Sequence, residues 1–134
     1  MGAWGYRVFE DDCTLDALAE LTESDSPVKV MHGFFKTVLK SEYVEYDDAC
    51  NALAAAAVID SVLNGISHNE DDEEYGEFVG SLKPGQAQDL KKDAARAVER
   101  ILAEESELKE LWEENEQDYE NWRKELTGIR KRLM

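Results

Sequence analysis

Two cysteines and two histidines are all that this 134-residue chain offers for nucleophilic or metal-assisted chemistry. Nucleophile elbows, phosphate-cradling glycine loops, paired zinc-binding histidines and cysteine knuckles are all missing. Cys13 and Cys50 each stand alone in a helix-like apolar context, which reads as two small buried thiols and not as a disulfide or a metal site. No apolar run approaches the roughly 20 residues that span a bilayer, and no basic segment followed by an apolar one opens the chain. Tyr6 stands where a myristoylation signal needs serine or threonine, which argues against an acyl chain on Gly2. Together these absences predict a soluble, cytoplasmic protein with no cofactor and no metal.

Basic residues are also in short supply. Lys and Arg number 15 against 31 Asp and Glu, a formal net charge of −16. The imbalance is uneven, with 18 acids and 4 bases in residues 1–80 but 13 and 11 in residues 81–134. Such a field repels phosphate backbones and anionic lipid, and it speeds encounter with cations or basic proteins. Nucleic acid and membrane are therefore disfavoured as partners. Nucleic-acid mimicry would require carboxylates strung along an elongated surface, and an acidic exterior also keeps small proteins soluble without any partner.

What is present is helical periodicity. Hydrophobic residues make up 43% of the chain, which argues against disorder, and a chain of this length buries roughly two thirds of its unfolded surface. Asp12 or Thr14 can cap a short helix through about Leu21. Ser26 and Pro27 start a second helix to Lys40, with Val28, Met31, Phe35, Val38 and Leu39 on one face, lysines opposite, and His32 at the boundary. A third, from about Asp47 to Asn64 with Gly65 as its stop, is alanine-rich and apolar nearly all round, the pattern of a central helix. Its one polar stripe is Asp60, Ser61 and Asn64. The reading favoured by the pattern is a strip facing water; the other is a carboxylate in a buried network, bonded to the indole of Trp4.

Residues 66–86 interrupt this regularity. Glu70, Asp71, Asp72, Glu73, Glu74 and Glu77 repel one another unless water, cations or a partner screens them. The stretch lacks the alternate oxygens, central glycine and terminal glutamate of a calcium loop. It reads as a solvated acidic loop with one helical turn around Phe78 and Val79, or as a docking surface for a basic partner. From Gln86 another amphipathic helix runs to Leu102. Ser106 can cap a last region in which Tyr119, Trp122, Leu126, Ile129 and Leu133 step by 3, 4, 3 and 4. Whether that region is one rod or two helices broken near Asn115 stays open.

The opening residues put Trp4, Tyr6 and Phe9 among Gly2 and Gly5. Large rings with backbone freedom beside them predict a segment tucked into the body. This opening, Met-Gly-Ala-Trp-Gly-Tyr-Arg-Val-Phe-Glu-Asp-Asp, resembles the signature of a mainly bacterial family known as domain of unknown function 4259. The Asp47–Gly65 segment, the stretch from Ser106 through Trp112 to Glu114, Trp122 and Arg132-Leu133 are similar to that family's other landmarks. Arg7 stands where the family commonly has glycine. The resemblance implies a single unit over the whole chain and brings no activity with it.

The expected architecture is one compact all-α domain over residues 1–134, a bundle of five to seven helices around the alanine-rich one, with the aromatic head packed against it. The expected function is that of a non-enzymatic acidic interaction protein, one that neutralises a basic partner such as a bacterial toxin through the 70–77 carboxylates. The alternative is a small ligand-binding or enzymatic domain that uses Asp60 with Trp4 and Tyr6 around an internal pocket.

Overall fold

Alanine at six of the nine positions from Ala49 to Ala57 gives one helix a surface that neighbours can approach from every side. The computed structural model, which describes residues 3–134, is built around that property. Among these residues the chain forms α1 (Asp12–Glu23), α2 (Pro27–Lys40), α3 (Tyr46–Asn64), α4 (Glu73–Ser81), α5 (Pro84–Leu102), α6 (Glu107–Glu113) and α7 (Tyr119–Leu133). Helix α3 touches all six others, and every residue from Ala52 to Ser61 is buried. Helix α5 closes the bundle by packing on α2, α3 and α7. The protein is all-α.

Local chemistry sets most of the boundaries. Asp47 and Asp48 place negative charge in the first turn of α3, and Gly65 ends it in the left-handed region at φ 68°, donating its N–H to Ser61. Pro27 and Pro84 occupy the first helical positions of α2 and α5, where no donor is needed. The cap of α1 differs from expectation. Asp11, not Asp12 or Thr14, accepts from the Cys13 N–H at 2.8 Å, while the Thr14 hydroxyl turns back to donate to the Val8 and Asp11 carbonyls.

The acidic stretch is more helical than the single turn its charge predicts. Glu73–Ser81 is a nine-residue helix, because Asp72 caps it through the Glu74 N–H at 2.9 Å and Glu73 and Glu74 then sit at the positive end of its dipole. The region after Ser106 is two helices. Trp112 on α6 and Trp122 on α7 stack at 5.9 Å and 11°, which requires the chain to fold back between them. Trp122, Leu126, Ile129 and Leu133 are the buried stripe of α7, packed on α5 and α3.

Two loops meet at the opposite edge. Val44 bridges Ser106 in parallel fashion, its N–H bonded to Glu105 and its carbonyl to the Glu107 N–H, each at 2.9 Å. Arg100 straps them down, donating to the carbonyls of Ser41, Glu42, Glu104 and Glu105. One guanidinium thus donates to four loop carbonyls, of which Glu105 also accepts the Val44 N–H.

Candidate functional site

Helical spacing puts Asp60 and Asn64 on one face of the last turns of α3. Gly65 then reverses the chain and brings His68 back over that face. The last turn of α7 supplies Arg132 from the other side. The result is a carboxylate with no solvent exposure and three donor side chains. Arg132 donates Nε and Nη2 to it at 2.8–3.1 Å, His68 Nε2 lies 2.8 Å from Oδ2, and Asn64 Nδ2 lies 2.8 Å from Oδ1. Burial by itself pushes the Asp60 carboxyl up; the bonds from His68, Arg132 and Asn64 outweigh it and hold the pKa down at about 2. The same contact raises that of Arg132.

The water-facing reading of the stripe is therefore overturned for Asp60, which α7 and the segment after Gly65 cover, while Asn64 is exposed. Ser61, next along, is buried too and shares a 2.6 Å hydrogen bond with the Tyr75 hydroxyl. Burial raises the Tyr75 phenol to about 12, with the Ser61 bond opposing. Tyr75 meets Phe9 edge-on at 5.5 Å, so a line of contacts runs from the amino-terminal head through α4 to α3.

That head is part of the body, although not by its tryptophan. Ala3 bridges Asp11, the Trp4 N–H bonds the Glu10 carbonyl at 2.9 Å, and the loop so closed sinks Val8 and Phe9 into the core. Trp4 is 61% exposed and has no bond to Asp60. A ring at that position faces outward because the bridge turns it away from the bundle. Tyr6 is half-buried. At Gly5 a β-carbon would meet only the movable end of Glu10, 2.5 Å away, and Gly2 lies outside the described residues.

In front of Asp60, Tyr6, Phe9, His68, Glu125 and Arg132 line a cavity of about 460 Å³, with Glu10, Glu70 and Asp71 also on its wall. Asp60 itself stands behind this wall and not in it. Trp4 takes no part. The His68 side chain is only 6% exposed; its Nδ1 lies 3.8 Å from Glu125 Oε1, too far for a hydrogen bond. Asp60 holds the ring through Nε2, and Nδ1 faces Glu125 without a hydrogen bond. Sequence singles out Asp60, Tyr6, Phe9, Glu70 and Asp71 and offers Arg132 only within a family landmark, but carries no signal for His68 or Glu125. His68 is one polar residue in a polar loop, and Arg132 is one of three cations in the last turn of α7.

The six carboxylates of residues 70–77 occupy the rim of this cavity and the outer face of α4. All are exposed except Asp72, the cap. Among the described residues, none has a lysine or arginine nitrogen within 4.0 Å. The cations collect elsewhere: Lys91, Lys92, Arg96 and Arg130 line one groove between α5 and α7. Trp112 and Trp122 are buried between helices and serve the core. No set of three or more His, Cys, Asp or Glu side chains among the described residues is disposed to hold a metal ion, and no helix among them is long and apolar enough to cross a membrane.

No curated protein and no solved structure matches the chain. The model of one family does, over residues 2–125, and the chain belongs to that family, the domain of unknown function DUF4259.

Proposed function

We propose that this chain is a non-enzymatic, cytoplasmic interaction protein whose acidic face holds and neutralises a basic protein partner, as an immunity protein holds a bacterial toxin. The observation that carries this is that, among the described residues, no lysine or arginine lies against Glu70, Asp71, Asp72, Glu73, Glu74 and Glu77, while basic residues gather along α5 and α7 instead. Unscreened carboxylates on a rigid helix and its flanking loop attract a cationic surface at long range and gain most when it displaces their counter-ions. Association of this kind is fast and salt-sensitive.

The test is capture of partners from the native host by the wild-type chain and by a variant with Glu70, Glu73, Glu74 and Glu77 changed to glutamine. Asp72 stays because it caps α4. A basic protein retained at low salt, released at high salt and lost by the variant is the expected result. Recovery of no basic protein, or equal recovery by the variant, overturns the proposal.

A second reading is favoured by one observation, the cavity of about 460 Å³ in front of the buried Asp60 network. A concave site with a few converging polar groups is the usual form of a small-ligand pocket.

A further inference from the structure

Two faces of this chain are unsatisfied in opposite senses. We propose that they satisfy each other between molecules: the groove between α5 and α7 of one copy receives the outer face of α4 of a second copy.

The groove has a volume of about 320 Å³ and carries Lys91, Lys92, Arg96 and Arg130 around a floor that includes Ala95 and Leu133. Met134, 71% exposed, adds apolar surface at one end. Arg130 lies 3.6 Å from Glu99. Lys91, Lys92 and Arg96 have no carboxylate within 4.0 Å among the described residues, although the chain has 31 acids against 15 bases. Cations around an apolar floor favour an acidic segment that also brings apolar side chains.

The outer face of α4 has that composition. Glu73, Glu74 and Glu77 are exposed with no lysine or arginine nitrogen within 4.0 Å among the described residues, and Phe78 and Val79 beside them are only half-buried. The spacings correspond as well. Lys92 and Arg96 stand one turn apart on α5, as Glu73 and Glu77 do on α4. Helix α4 has nine residues, and the charged stretch of α5 from Lys91 to Glu99 has the same length, about 13 Å in each case.

The distribution of charge favours this orientation. Residues 1–80 hold 18 acids and 4 bases, residues 81–134 hold 13 and 11, and the contact sets the acidic part of one copy against the nearly neutral part of the next. The net charge of −16 opposes association at long range. Salt screens that repulsion beyond about 8 Å at physiological ionic strength, whereas side chains in contact attract within that distance. One short helix in a groove makes a small interface, so the association is weak and depends on concentration.

Sedimentation equilibrium of the full chain, up to about 1 mM and at near-physiological salt, tests this. The average mass should rise above that of the monomer as concentration increases. Lys92→Glu with Arg96→Glu should weaken association about tenfold or more. Lys124→Glu with Lys131→Glu, an equal change of net charge on the exposed face of α7, should leave it as it is. Glu74→Lys with Glu77→Lys should also weaken it, and mixing that protein with the groove variant should restore association, because each then offers the other an opposite face. All of these changes fall on exposed side chains, and circular dichroism checks that each variant is folded. A wild-type chain that stays monomeric overturns the proposal, as does equal loss in the groove and control variants or a mixture that stays monomeric. The groove variant keeps the α4 carboxylates and with them any capture of a basic host protein, so this contact and the function proposed above fail separately.

Discussion

Arg132 reaches Asp60 across 72 residues of sequence with two nitrogens, closing the end of α7 onto the end of α3. The contact is a hydrogen-bonded ion pair whose carboxylate has no access to water. In such a pair the net gain of the intact contact is small, but loss of one partner strands the other. Asp60 would keep Asn64 and His68 as donors, which softens the effect. Arg132→Met is therefore expected to lower stability by roughly 3 kcal/mol, the low end for a broken buried pair. Asp60→Asn combined with Arg132→Met should lose less than the two single changes added together. Urea unfolding of the four proteins at neutral pH measures both; additivity would mean that the two side chains are not coupled.

The same pair fixes a sign for the acid response. The folded-state pKa of Asp60, about 2, lies below its unfolded value of 3.8. A depressed carboxylate stabilises the fold above the unfolded pKa and loses that stabilisation as pH falls through the folded one. The window is therefore about pH 4 down to 2, and the amount is roughly 2 kcal/mol. Stability of the wild type relative to Asp60→Asn, followed by urea titration from pH 5 to 2, should shrink by about that amount. A difference that stays constant with pH would show that the Asp60 charge is not what the donors stabilise.

Much of this architecture is legible in the residues because helical pattern and capping are local. The alanine run of α3, the stop at Gly65 and the prolines opening α2 and α5 each act within one turn of where they stand. The break between α6 and α7 is only partly local. No glycine or proline lies from Glu113 to Asp118; the Asn115 side chain accepts the Asp118 N–H at 3.1 Å, and the turn is held by the stack of Trp112 on Trp122, a contact between elements. The two readings of Asp60 could not be separated for the same reason: a stripe of three polar residues looks identical whether water or Arg132 covers it. The acidic stretch hides a helix because like charges repel along it, whereas Glu73 and Glu74 sit at the positive end of the dipole of the helix that Asp72 caps.

Arg100 presents a second long-range anchor, of backbone instead of charge. Its guanidinium ties the 41–45 loop to the 103–105 loop through the carbonyls of Ser41, Glu42, Glu104 and Glu105. Arg100→Met keeps the stem and removes the donors, and it is expected to lower stability by about 1–3 kcal/mol. The loss should be regional. Hydrogen exchange at the Val44 and Glu107 amides, which pair across the two loops, should speed up more than at the core of α3. Uniform acceleration over the whole chain would refute a local strap.

Ser106 is the residue at which capping statistics and this structure disagree most directly. Serine at a helix N-cap is ordinarily stabilising, and its replacement by alanine lowers stability by about 0.5–2 kcal/mol. Here the Ser106 hydroxyl makes no bond to the first turn of α6, the residue is 1% exposed, and Oγ has no hydrogen-bond partner among the described residues. The backbone does the capping work, through the Val44 bridge and the Glu110 N–H on the Ser106 carbonyl at 3.1 Å. A buried hydroxyl without a partner retains its desolvation penalty, so removing it should leave stability unchanged or raise it by up to about 1 kcal/mol. Thermal and urea unfolding of Ser106→Ala decide the matter, and a loss of the ordinary N-cap size would mean that the hydroxyl caps α6 in solution after all.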